Sequence, residues 1–228
     1  MSAVTRGKII SKFHLLEKKA ELLNIEPLEV YLIGGGNLAL RGLKSATKDI
    51  DIVVLSRGQF SLLQDLLETP LPKLPVYVRQ YRSRWDYDLG MSTRYLHPLQ
   101  GFSLDVFVKR VLNKLYLSES MVSRAEAPEE FSSHELFKVM LVSKEDIFLF
   151  KSVTSLERTR DVEDLIALVE TGLEYEIIIQ ELENQLFKDE SLRSLVPGMI
   201  HRVDLLMKQI GTVKGLIRLK EYLKEISG

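Results

Sequence analysis

The chain has 228 residues, of which 45% are hydrophobic and 28% charged, with a formal net charge of -1. That length leaves room for one large or two small domains with a sizeable core. The near-neutral balance excludes a strongly basic nucleic-acid binder, although not a local basic groove. The chain has no cysteine, which excludes disulfides, thiolate metal sites and cysteine nucleophiles. His14, His97, His134 and His201 are scattered without HExxH-type spacing, which argues against zinc. Residues 1–12 hold no apolar signal-peptide run and no window reaches transmembrane length, so a cytoplasmic protein without a membrane partner is expected.

In chain order, Ile9, Ile10, Phe13, Leu16, Ala20 and Leu23 recur at helical spacing and predict a helix over 6–24. After Pro27 a strand, Tyr31-Leu32-Ile33, runs into Gly34-Gly35-Gly36, and a helix is expected to start near Asn37. A second strand follows, Lys48-Asp49-Ile50-Asp51-Ile52-Val53-Val54. Residues two apart in a strand share a face, so Asp49 and Asp51 project together and Ile50 projects oppositely. Two adjacent carboxylates repel, and a cation between them is the best explanation. With oxygen ligands alone that cation is Mg²⁺ or Mn²⁺. The plainer alternative is a tight strand-to-helix turn beside a capping or solvated Asp pair.

Ser56 can cap a helix carrying Phe60, Leu62, Leu63, Leu66 and Leu67, which ends at Thr69-Pro70. Pro72 and Pro75 mark an extended linker, and strands are expected near Val76–Tyr81, Ser92–Leu96 and Phe102–Val108. Tyr77, Arg79, Tyr81, Arg82, Arg84 and Trp85 interleave aromatics with arginines, as single-strand binding requires, but Val76–Tyr81 also alternates as an ordinary strand. The ordinary strand fits the unbiased charge better. Asp105 interrupts an otherwise apolar strand; at an edge it would simply face water. Asp86 and Asp88 also have same-face spacing, but Arg82, Arg84 and Gly90 around them read as loop.

From Ser132 on the pattern is helical. Ser133 can cap a helix through Val142, and Ser143 can cap the next, with Glu145 and Asp146 in its first turn. If that helix continues, Lys151, Thr154, Arg158, Asp161 and Leu165 share one face. Later helices carry Ile178, Leu182 and Leu186, then Ile200, Val203, Leu206 and Met207, then Val213 to Leu223, separated by Pro197-Gly198 and Gly211. The apolar faces of the last helices offer a homodimer surface. The chain is divided on this pattern into residues 1–125 and an α-helical 126–228.

The glycine turn followed by the Asp49-Ile50-Asp51 triplet resembles the nucleotidyltransferase superfamily that has the DNA polymerase beta-like fold. That resemblance implies an α/β (α+β) fold: a minimal mixed sheet flanked by helices, then an α-helical second domain, with the site in the cleft between them. It implies that Gly34, Gly35 and Gly36 admit nucleotide phosphates, with Asn37 at the helix start. Asp49 and Asp51 would hold Mg²⁺ or Mn²⁺. Asp105 would be the third carboxylate, a metal ligand or the group that activates an attacking hydroxyl. Thr47 fits the related Thr-x-Asp-x-Asp form.

Lys151, Arg160, Asp161 and Asp164 resemble the second part of AbiEii- and MenT-like bacterial and archaeal nucleotidyltransferases. There Lys151, Arg158 and Arg160 would face the triphosphate, and Asp161 and Asp164 would orient them. On residue grounds alone Lys151 could equally snorkel to solvent, and Arg158 with Asp161 could be a surface i,i+3 pair. One departure is Ser45, where several relatives have arginine; Lys44 or Lys48 could substitute, without a bidentate fork. The implied activity is Mg-dependent transfer of a nucleoside monophosphate from an NTP to a hydroxyl on a tRNA, a protein or a small molecule, as in toxin–antitoxin enzymes. The alternative is a non-catalytic module on the same fold that binds a nucleotide, RNA or protein.

Overall fold

The computed structural model describes residues 3–80, 92–97, 102–153 and 159–227, except the side chains of 159 and 160. By contacts the chain forms two compact units, Met1–Val142 and Ser143–Gly228.

The first unit begins with β1 (Val4–Thr5) and α1 (Arg6–Leu23), whose C-cap Asn24 takes a left-handed conformation at φ 49°. Next come β2 (Leu28–Ile33), α2 (Gly34–Leu40), β3 (Ala46–Thr47), β4 (Asp49–Val54) and α3 (Arg57–Glu68). Ser56 caps α3 as its sequence position suggests, accepting a hydrogen bond from the Gln59 N–H. Then follow β5 (Val78–Arg79), β6 (Thr93–Leu96), β7 (Ser103–Val108), the hairpin β8 (Arg110–Val111) and β9 (Leu115–Tyr116), α4 (Glu119–Arg124) and β10 (Phe137–Leu141). The fold is mixed α/β, and the main sheet has the order β10-β2-β4-β7-β6-β5. The β10/β2 and β4/β7 pairs are parallel and the others antiparallel.

Period-2 alternation sorts the central strands into two faces. Ile50, Ile52, Val54, Leu104 and Val106 turn to one side and form a core with Ile9, Phe13 and Leu16 of α1 and Leu63, Leu66 and Leu67 of α3. The intervening residues, Asp49, Asp51 and Asp105 among them, turn to the opposite face.

The stretch expected to be a helix from Ser133 through Val142 is instead β10. Its buried positions are Phe137, Val139 and Leu141, a period of two, with Lys138 exposed between them. Glu17 on α1 fixes its entry, accepting from the backbone N–H groups of Glu135, Leu136 and Phe137 at 2.6–3.1 Å. The Phe137 ring meets Phe13 edge-on at 5.5 Å. A serine cap signal lost to these long-range contacts.

The second unit is helical: α5 (Lys144–Ser152), α6 (Thr159–Glu170), α7 (Tyr175–Lys188), α8 (Val196–Ile210) and α9 (Lys214–Ser227). Ser143 caps α5, with Glu145 and Asp146 in the first turn. Pro197-Gly198 does not separate helices; it lies in the first turn of α8, where proline's missing N–H is harmless. Gly211, at φ 80°, does end that helix. Among the described residues, no helix is long and apolar enough to cross a membrane.

Candidate active site

The site is built where β2 ends beside β4. Ile33 pairs with Asp51 in antiparallel register, so the turn leaving β2 passes the Asp51 side chain. Gly34 has φ +61°, and a Cβ there would lie 2.2 Å from Asp51 Oδ2. A Cβ on Gly35 would lie 2.4 Å from Thr47 Oγ1. One on Gly36 would sit 3.4 Å from Ile50 Cγ2. Glycine is therefore required at Gly34 and Gly35 by close approach to the aspartate strand and its lead-in. The turn enters α2 at Gly34, one turn before the expected start near Asn37.

Thr47 is buried; its hydroxyl donates to the Asp49 carbonyl at 2.9 Å, and its backbone pairs with Val4 of β1. It shapes the lead-in to β4. Asn37 is 0% exposed. Its Nδ2 donates to the carbonyls of Leu32 at 2.8 Å and Val142 at 2.9 Å, while its Oδ1 accepts from Arg41 Nε at 2.9 Å. The Asn37 side chain is thus an internal bolt between β2, α2 and the end of β10, and it has no face left for a nucleotide. Lys44 is the basic side chain found beside the glycines, its Cδ 3.9 Å from the position of a Gly35 Cβ.

Asp49 and Asp51 are both partly exposed on one face of β4. β7 lies parallel to β4 in register, with Asp105 directly opposite Asp51. Adjacent strands are about 4.8 Å apart, so Asp105 is the cross-strand neighbour of Asp51 on the shared face. The third member is not open, however. Arg94 on β6 is the register partner of Asp105. Its Nε donates to Asp105 Oδ1 and its Nη2 to Oδ2, each at 2.6 Å, a bidentate ion pair. Arg94 did not stand out in the sequence, because strand alternation gives its face but not its cross-strand partner.

Among the described residues, no group of three or more His, Cys, Asp or Glu side chains is arranged to hold a metal ion. Two partly exposed carboxylates beside a glycine cradle nevertheless fit Mg²⁺ or Mn²⁺. Such hard cations commonly take one or two protein carboxylates and complete their shell with water and substrate phosphate oxygens.

In the second unit, Lys151 Nζ lies 2.7 Å from Asp164 Oδ2 and 3.3 Å from Asp161 Oδ1. Burial pulls the ammonium down, but Asp164 and then Asp161 outweigh it, and its pKa stands above the ordinary lysine value. Lys151 is 7% exposed, so it neither snorkels nor presents an open charge. Asp161 and Asp164 pair with it directly. Arg158 lies outside the described residues, as does the side chain of Arg160. In the aromatic–arginine stretch, Tyr77 is buried in the core and Arg79 donates to Glu68 at 2.7 Å. That agrees with an ordinary strand; Tyr81, Arg82, Arg84, Trp85, Asp86 and Asp88 lie outside the described residues.

No protein-family model and no curated protein matches the chain. Several solved structures are similar to it. MenT4, a nucleotidyltransferase toxin from Mycobacterium tuberculosis, is 12% identical over 97% of this chain and 84% of its own, with a TM-score of 0.46. The antibiotic-resistance factor ANT(2'')-Ia is 13% identical over 86% of this chain and 99% of its own, TM-score 0.46. JHP933 from Helicobacter pylori is 16% identical over 95% and 90%, TM-score 0.42.

Proposed function

We propose that this protein is a nucleotidyltransferase that moves a nucleoside monophosphate from an NTP to a hydroxyl acceptor. The observation that carries this reading is the Gly34 backbone lying against the Asp51 carboxylate, with Asp49 on the same strand face. A glycine cradle beside paired carboxylates suits a metal-bound triphosphate, because backbone N–H groups and metal can both approach phosphate oxygens. Asp49 and Asp51 would hold Mg²⁺ or Mn²⁺, which when bound neutralises phosphate charge and stabilises the leaving oxygen. Gly34, Gly35 and Gly36 would admit the phosphates, and Lys44 would supply a positive charge beside them. Thr47 acts by shaping the strand that presents the aspartates.

The reaction forms a bond from the acceptor oxygen to the α-phosphorus and breaks the bond to the bridging oxygen, releasing pyrophosphate. The acceptor's proton passes to a carboxylate of the row or to water; Asp105 is the candidate once it is free of Arg94. A tRNA, a protein side chain or a small alcohol each meets the requirement for the acceptor, and the first two would suit a toxin-type enzyme.

The Arg94–Asp105 pair favours a second reading, a non-catalytic module that binds nucleotide, RNA or protein, because it occupies the third carboxylate. Incubation with each α-labelled NTP, Mg²⁺ and total tRNA or lysate distinguishes the two. Label transferred by the wild type and not by an Asp49→Ala/Asp51→Ala variant is the expected result. NTP–Mg²⁺ binding without transfer to any acceptor would favour the module.

A further inference from the structure

On the sheet face described above, three successive strands place Asp51, Asp105 and Arg94 side by side, joined by the β4/β7 and β7/β6 registers. Asp49 stands two residues from Asp51 on the same face. Three carboxylates so close repel one another, and the fork of Arg94 offsets that repulsion at Asp105 with two hydrogen bonds of 2.6 Å. The two partners differ in access: the Asp105 side chain is 6% exposed and that of Arg94 is 31% exposed. Part of the Arg94 side chain thus reaches solvent while the Asp105 carboxylate is enclosed. Phosphate oxygens match the guanidinium fork as well as a carboxylate does. A divalent cation at Asp51 would act the other way, attracting Asp105 and repelling Arg94.

We infer that Arg94 is a latch on the third carboxylate: it withholds Asp105 from a metal ion until a nucleotide phosphate takes over its guanidinium. The inference deepens the nucleotidyltransferase reading and rests on it. Arg94 is a positioning residue here, acting on the reaction through Asp105. Free Mg²⁺ then meets a site of two carboxylates, and the third joins only when the triphosphate arrives. The latch also supplies the bidentate arginine that Ser45 does not.

The test is titration of Mn²⁺ alone, without nucleotide, into wild type, Arg94→Gln, Arg94→Gln/Asp105→Asn and Asp51→Asn. Arg94→Gln exposes a third carboxylate to the metal and is expected to bind Mn²⁺ about 10-fold more tightly than wild type. The double variant is expected to lose that gain, and Asp51→Asn to lose most binding. A purely structural ion pair predicts unchanged or weaker binding in Arg94→Gln. That result, with Asp51→Asn still deficient, overturns the latch and leaves the metal site standing. Mn²⁺ binding that is unchanged in Asp51→Asn overturns the metal site, and the latch with it.

Removing Arg94 leaves a buried carboxylate without its arginine and costs stability. Melting in EDTA and in Mn²⁺ therefore serves as the second readout. Arg94→Gln should melt lower than wild type in EDTA and gain more from Mn²⁺ than wild type does. If Arg94→Gln fails to fold in either condition, Arg94→Lys, which keeps the charge without the fork, replaces it. Tighter Mn²⁺ binding than wild type supports the latch, and equal or weaker binding overturns it.

Discussion

Both units of the chain gather acidic residues around a basic one, yet they do so to opposite ends. In the helical unit, Lys151 sits between Asp164 and Asp161, and Lys151 and Asp164 are buried. In the sheet unit, Arg94 holds Asp105 in a bidentate pair, while Asp49 and Asp51 are partly exposed beside a glycine turn. The helical cluster is an internal strut whose charges are matched at close range. The sheet cluster is less buried and lies against glycines, whose missing Cβ lets the backbone approach Asp51. Acidic residues in the sequence do not by themselves separate a strut from a site; the difference lies in what flanks them.

The largest expected effect breaks the strut. Lys151→Ala takes the shared cation from buried Asp164 and partly buried Asp161, and should cost about 3–5 kcal/mol. Chemical denaturation followed by the helical signal measures this. Because the folded-state pKa of Lys151 is raised, its stabilisation is fully present below the ordinary lysine pKa and is lost only as pH rises through the higher folded value. A wild-type/Lys151→Met comparison should thus show a constant gap through neutral pH that closes in strong alkali.

Gly34→Val breaks the other side of the comparison. It forces a branched residue to φ +61° and drives its Cβ into Asp51 Oδ2. The expected cost is about 1–3 kcal/mol of stability, together with loss of Mn²⁺ binding in a titration. Gly42 has a positive φ but open space around its Cβ position, so Gly42→Ala should cost stability alone. Equal Mn²⁺ affinity in Gly34→Val and wild type would remove the glycines from the site.

Two smaller effects concern how the sheet is held. Glu17→Gln replaces a carboxylate that accepts three backbone N–H bonds and should cost about 1–3 kcal/mol, read by hydrogen exchange at Phe137. Lys19 is fully buried, donating to the carbonyls of Leu67 and Pro75, and burial pushes its pKa down to about 8. The unfolded chain then binds more protons than the folded one from about pH 8 up to the ordinary lysine range, so stability rises with pH there. The wild type should gain about 1–2 kcal/mol between pH 7.5 and 9.5 relative to Lys19→Met. A flat difference in urea melts across that range would contradict it.

Much of the sheet unit was legible in the sequence, because period-2 alternation in Asp49–Val54 and Ser103–Val108 fixes which side chains share a face. The strand-to-helix turn at the glycines was legible too, although the helix begins at Gly34 itself and not near Asn37, and the close approach to Asp51 and Thr47 was not. What the sequence hid was cross-strand register and long-range partners. The Arg94–Asp105 pair depends on how β6 meets β7. Asn37 reads as a helix-start residue and proves to be an internal bolt, because its partner Val142, 105 residues away in the chain, is brought to it by the sheet. β10 showed its alternation at Phe137, Val139 and Leu141, but the serine cap signal before it and the helices after it masked a five-residue strand.

The central claim is that the Asp49/Asp51 face of β4 binds a metal-bound nucleotide. The most direct measurement is Mn²⁺-dependent binding of α-labelled NTPs to wild type and to Asp51→Asn, with circular dichroism to confirm that both are folded. Binding by the wild type that EDTA abolishes, and none by an equally folded Asp51→Asn, is the expected result. Equal metal-dependent binding by both proteins would contradict it.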